Sequence, residues 1–132
     1  MPSLREAANT RIATVTGIDA KSVAITTLYT VPPGKRLIPM GVLIRCTAFT
    51  VGAKGVQAKA SFGSDSGGTP AWSNYLKTVT YTISAINMCI HDALFDAEYL
   101  SVATGGTFRI SIETGSDATT ETWSVSLFGF LV

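Results

Sequence analysis

The sequence predicts an all-β fold: an antiparallel β-sandwich, jelly-roll-like, with seven or eight strands. Three observations carry that expectation. Apolar and polar residues alternate with period two along most of the chain, and the runs are separated by Gly, Pro, Ser and Asp clusters, as half-buried strands joined by turns require. Thr (18 residues), Ser (12) and Gly (12) supply the polarity while charged residues make up only 14%, a composition that disfavours helical bundles and disordered tails. At 132 residues the chain can bury one core, which two packed antiparallel sheets close most economically.

The elements follow in order. Residues 1–22 alternate weakly and carry Pro2, Arg5, Glu6, Arg11 and Lys21, so they read as an N-terminal arm, with a short strand possible at 11–16; residues 23–132 read as the sandwich domain. Residues 23–31 form a first long strand, ended by Pro32-Pro33-Gly34, where proline presets a turn and glycine supplies positive φ. A second strand runs through Phe49 with Ile38, Met40, Val42, Ile44 and Cys46 expected on one face. Val56, Ala58, Ala60 and Phe62 alternate with Gln57, Lys59 and Ser61; a Gly-rich loop covers 63–70; and Val79, Tyr81 and Ile83 alternate with hydroxyl residues. Residues 99–103 and 107–113 flank Thr104-Gly105-Gly106, a hairpin signal, with Phe108, Ile110 and Ile112 inward. An immunoglobulin arrangement is disfavoured because Trp72 and Trp123 are not in register with Cys46 and Cys89.

The final strand, 123–132, departs from simple alternation. Trp123, Val125, Leu127 and Leu131 share one face, yet Phe128, Phe130 and Val132 make the opposite face apolar too. A strand greasy on both faces needs cover on both, so Phe128, Phe130 and Val132 are expected at an oligomer interface. Charge is also uneven: residues 1–60 carry net +6 and residues 91–132 net −5. Folding that intermixes the two halves would cancel this; a polar subunit would not.

Candidate chemistry is sparse, and no catalytic, cofactor or metal residues are expected. Ser64-Asp65-Ser66-Gly67-Gly68-Thr69-Pro70 mimics a protease nucleophile loop, but the single histidine, His91, lies downstream, and hydroxyl attack needs a base in reach. His91 and Asp92 with Asp96 and Glu98 match no metal-binding spacing. Trp72, Tyr75, Tyr81 and Trp123 are the aromatics that a sugar-stacking platform would use, with Trp72 and Tyr75 the open candidates. Cys46 and Cys89 read as buried free thiols in a chain made in a reducing cytoplasm, without a signal leader or a membrane-spanning run. A net charge of +1 argues against nucleic acid as a partner.

The run Thr27-Leu28-Tyr29-Thr30-Val31-Pro32-Pro33-Gly34-Lys35 and the ending Phe128-Gly129-Phe130-Leu131-Val132 resemble motifs of small structural proteins of tailed bacteriophages, over residues 26–49 and the last strand. The resemblance implies a non-enzymatic virion protein of the capsid decoration (cement) type: a jelly-roll homotrimer on the capsid surface, assembled in the host cytoplasm, with the major capsid protein as partner. Leu4, Arg5 and Arg11 would then lie on an arm reaching the shell. The alternative reading is a tail or fibre receptor-binding or carbohydrate-binding module.

Overall fold

The computed structural model describes residues 10–52, 57–64, 75–94 and 101–132. Eight strands are present: β1 (Arg11–Asp19), β2 (Ile25–Thr30), β3 (Leu37–Thr50), β4 (Gln57–Ser64), β5 (Leu76–Thr82), β6 (Cys89–Ala93), β7 (Thr107–Thr114) and β8 (Thr120–Leu131). They form two four-stranded sheets, β1-β8-β3-β6 and β2-β7-β4-β5, antiparallel throughout. The outermost strands in sequence pair first with last: β1 with β8, β2 with β7, β3 with β6, β4 with β5. This is a hairpin of four strand pairs rolled into two layers, the jelly roll.

The core fills the space between the sheets. Leu37, Val42, Ile44, Trp123, Val125 and Leu127 descend from the first sheet onto Ala58, Phe62, Tyr81, Phe108, Ile110 and Ile112 of the second. Phe62 and Phe108 stack at 6.4 Å, and Tyr81 meets Trp123 edge-on at 5.8 Å. Ala58, Ala60 and Phe62 of β4 and the inward sets expected of β5, β7 and β8 face the core, while Val56 lies outside the described residues. Pro32-Pro33-Gly34 turns the chain as expected: Lys35 N–H donates to the Pro32 carbonyl (3.3 Å) and Gly34 takes φ +74, the positive φ that a type II turn needs at its third residue.

Four local features differ from the sequence reading. Half of the segment read as an arm is built into a sheet, because β1 pairs along β8. Its alternation is weak because two register shifts, at Arg11/Ala13 and Val15/Ile18, and Gly17 at φ +72 interrupt the pleat. Ile38 and Met40 do not share a face with Val42. A bulge between Pro39 and Gly41 turns them outward, where Met40 and Ile38 pack on Phe130. Pro39, with no N–H to donate, suits a bulge, and Gly129 opposite lets the backbones close, since a Cβ there would lie 2.2 Å from the Ile38 carbonyl oxygen. The turn at 104–106 forms, with Gly105 at φ +81, but Val102 bridges to Leu37 rather than pairing with β7. Finally, Cys89 is exposed; only Cys46 is buried.

Candidate interaction surface

The two sheets turn different outer faces away from the core. That of β2-β7-β4-β5 is polar, carrying Thr27, Arg109, Ser111, Glu113, Lys59 and Ser61 in successive register positions. Glu113 is used internally: Ser61 Oγ and Thr78 Oγ1 donate to its two oxygens at 2.7 and 2.8 Å, and Thr78 holds a positive φ of 48°.

The outer face of β1-β8-β3-β6 is apolar at the end where β8 finishes. Phe130 stands over Ile38 and Met40 and is 8% exposed within its own chain. Phe128 is half-buried beside Gly41, with the His91 ring edge-on to it at 6.4 Å, and Val132 is 41% exposed. The absence of a side chain at Gly41 admits the imidazole, whose Nε2 lies 3.0 Å from where a Cβ would stand. Leu43 continues the patch between Ser126 and His91.

Of the residues expected on a shell-reaching arm, Arg11 is described, and it lies beside the residues expected at an oligomer contact. Arg11, the first residue of β1, is the register partner of Phe128. Among the described residues its exposed guanidinium reaches the Thr14 hydroxyl, at 3.5 Å. Leu4 and Arg5 lie outside the described residues. Arg45 projects from β3 two positions beyond Leu43, opposite Ser124 and Cys89, and Arg36, at the other end of the patch, donates to Ser101 Oγ at 3.2 Å. Among the described residues no carboxylate pairs with Arg11, Arg36 or Arg45, so this face combines a greasy centre with guanidinium groups around it. The basic and acidic halves of the sequence are interleaved by the β1·β8 and β3·β8 pairings, while this one face keeps a positive border.

The remaining candidates resolve by direction. His91 and Asp92 point to opposite faces of β6: Asp92 turns inward, where Tyr81 Oη donates to its Oδ2 at 2.6 Å. Burial, reinforced by that carboxylate, pushes the Tyr81 phenol well above its ordinary pKa. Asp96 and Glu98 are outside the described residues, among which no three metal-ligating side chains gather. Tyr75 is a core residue, edge-on to Phe108 at 5.3 Å, and gives no exposed platform; Trp72 is outside the described residues. Ser64 is buried at the end of β4, and Asp65 through Pro70 are not described. Cys46 and Cys89 sit one register step apart on adjacent strands and face opposite sides of the sheet, which precludes a bond between them. An open groove of about 510 Å³ runs along Ser64 and 101–106 and is lined by backbone and hydroxyl groups without a charged side chain.

One buried group escaped the sequence reading. Glu121 is fully buried, and its oxygens accept from Ser116 Oγ and Trp123 Nε1, each at 2.8 Å. Burial pushes its carboxyl pKa up, while the two donors and the Lys21 ammonium pull the other way. Burial first, and then the Glu121 charge, raise the neighbouring Cys46 thiol as well. The signal was available: Glu121 continues the inward parity of Trp123, Val125 and Leu127. The carboxylate ties down the end of the sandwich where β1, β3 and β7 finish. There Ala20 N–H donates to the Glu121 carbonyl, Ser116 N–H to that of Ala20 and Thr119 N–H to that of Thr50. Lys21 Nζ donates to the Ala118 carbonyl.

A jelly-roll sandwich whose first sheet carries apolar side chains on both faces is the class these features define. No protein-family model matches the chain, and no curated protein matches its sequence. A solved chain from the "Acidic stable capsid structure of Helicobacter pylori bacteriophage KHP30" is similar in fold, with a TM-score of 0.51 over 93% of this chain and 94% of that one, at 10% identity. At that identity the likeness is one of architecture.

Proposed function

We propose that the chain is a non-enzymatic structural protein of a bacteriophage virion, of the decoration or cement type, acting through contacts with the major capsid protein and with copies of itself as a homotrimer on the capsid surface. The observation that carries this reading is the second apolar face of β8, where half-buried Phe128, Ile38 and Leu43 and the 41%-exposed Val132 surround the covered Phe130 and Met40, on a fold similar to that of a phage capsid chain. Apolar side chains left partly open to solvent beside one another mark association sites. A subunit that binds the assembled shell and not its free parts stabilises the shell by mass action, and repeated modest contacts add through multivalency.

The test is co-sedimentation of purified protein with assembled, undecorated phage shells, with the shell's melting temperature measured in parallel. Saturable binding that raises shell melting, and that weakens in Phe128→Asp, is the expected result. Failure to co-sediment at micromolar concentration refutes the decoration role.

A further inference from the structure

His91 is the chain's single histidine, and β6 sets it on the outer face that carries Phe128. Asp92, next to it, is turned inward onto Tyr81, so alternation along the strand sends the imidazole outward, where it is exposed. Its place on that face is defined from three sides. Leu43 of β3 is its register partner, Phe128 of β8 meets it edge-on at 6.4 Å, and Gly41 leaves open the space beside its Nε2. A partner seated on Phe128 and Leu43 therefore covers the imidazole as well.

Histidine is the side chain whose charge ordinarily changes between pH 5 and 8. Exposed, the ring keeps its water in either charge state. Contact removes that water, and burial disfavours the charged form. The groups around the ring add to the cost. On β6 itself Asp92 accepts from Tyr81 Oη on the inner side of the sheet, and the Cys89 thiol shares the outer face. On β3 the nearest charge is Arg45, opposite Cys89; on β1 it is Arg11, opposite Phe128. β8 contributes Phe128 and Ser126, whose hydroxyl is hydrogen-bonded to that of Thr14 at 2.9 Å. Both charges are cationic, and neighbouring cations oppose protonation. Among the described residues no carboxylate faces the ring.

We infer that His91 makes docking through this face sensitive to pH: the neutral imidazole is buried with Phe128 in the bound state, and its protonation releases the contact. This rests on the virion reading, with the assembled shell as the occupant, and adds the condition under which the shell is held. A contact that accepts only the neutral form of a group loses up to about tenfold in affinity for each pH unit below that group's pKa.

The test is co-sedimentation of the full chain with undecorated phage shells at pH 8 and pH 5, for the native protein and for His91→Gln, which keeps a planar polar side chain without a titrating proton. Each is read as the ratio of its two dissociation constants, so that titration of the shell is common to both. A third chain, Asp96→Asn with Glu98→Gln, neutralises the two carboxylates that follow β6 in the sequence, and circular dichroism at both pH values checks that every variant is folded. The expected result is that native binding weakens on acidification about tenfold more than binding of His91→Gln, and that the Asp96→Asn/Glu98→Gln chain responds as the native one does. Equal ratios for the native chain and His91→Gln overturn the inference. So does native binding that tightens in acid, or a response that disappears with Asp96 and Glu98 instead of with His91. Shell binding without a His91-dependent pH response sinks the inference and leaves the virion reading standing, whereas no shell binding at either pH refutes both.

Discussion

Replacing Glu121 is the sharpest probe of how this sandwich is held together. In Glu121→Ala the Trp123 indole N–H and the Ser116 hydroxyl lose their acceptors in a site closed to water. An orphaned buried donor costs about 1–3 kcal/mol, and the vacated side-chain volume adds to that, so a loss of about 3 kcal/mol is expected. For a domain of this size that corresponds to a melting temperature lower by roughly 10 °C. Glu121→Gln behaves differently. Its amide oxygen still accepts from the indole and its amide N–H donates to the Ser116 oxygen, so the loss is under about 1 kcal/mol. The pH response separates the two charge states further. Because burial raises the folded-state pKa of Glu121 above its unfolded value, the folded protein holds that proton more tightly. Its contribution to stability is greatest below the ordinary carboxyl pKa and declines as pH rises through the raised folded pKa. Urea unfolding of the native chain and Glu121→Gln across pH 4–8 measures this: the native chain should lose stability relative to the variant as pH rises. Equal slopes, or an Ala variant as stable as the native chain, would refute the account of Glu121 as a buried, satisfied carboxyl.

Three further expectations rest on other contacts. Tyr81→Phe removes the 2.6 Å hydrogen bond to Asp92 while keeping the ring on Trp123, and should cost about 1–2 kcal/mol in denaturant unfolding with near-UV dichroism preserved. Gly115→Ala places a Cβ 2.0 Å from the Lys21 carbonyl oxygen; the backbone must give way, and a destabilisation of about 1–3 kcal/mol is expected from thermal melts. Native protein should react with a thiol reagent at one cysteine, Cys89, and at the second, Cys46, only on unfolding; rapid modification of both in the folded state would contradict the burial of Cys46.

Strands with clean alternation were legible in the sequence: Ala58, Ala60 and Phe62, Tyr81 and Ile83, and Phe108, Ile110 and Ile112 all face the core as their parity requires. What parity could not reach were positions where the pleat is broken. The bulge beside Pro39 reverses the side on which Ile38 and Met40 stand, and the two register shifts in β1 leave only a short strand at 11–16 legible of its nine residues. β6 was not read as a strand because Cys89, His91 and Ala93 face outward at the sheet's edge, with only half-buried Ile90 and Asp92 turned in. The apolar second face of β8 was readable from Phe128, Phe130 and Val132, whereas Met40, which covers Phe130, follows from the bulge alone. The positive border depends on Arg11, Arg36 and Arg45, which three separate segments bring to one side.

The pairing of β1 with β8 has a consequence for synthesis. While the chain leaves the ribosome, residues 11–19 emerge about a hundred residues before their partner, residues 120–131. β1 must therefore wait for its partner while the tunnel feeds out more than half of the domain. Closure of such distant segments is slow compared with local turns, which exposes the nascent sheet edge to neighbours on the same polysome. The two irregularities in β1 also make its waiting edge a poor template for the wrong strand.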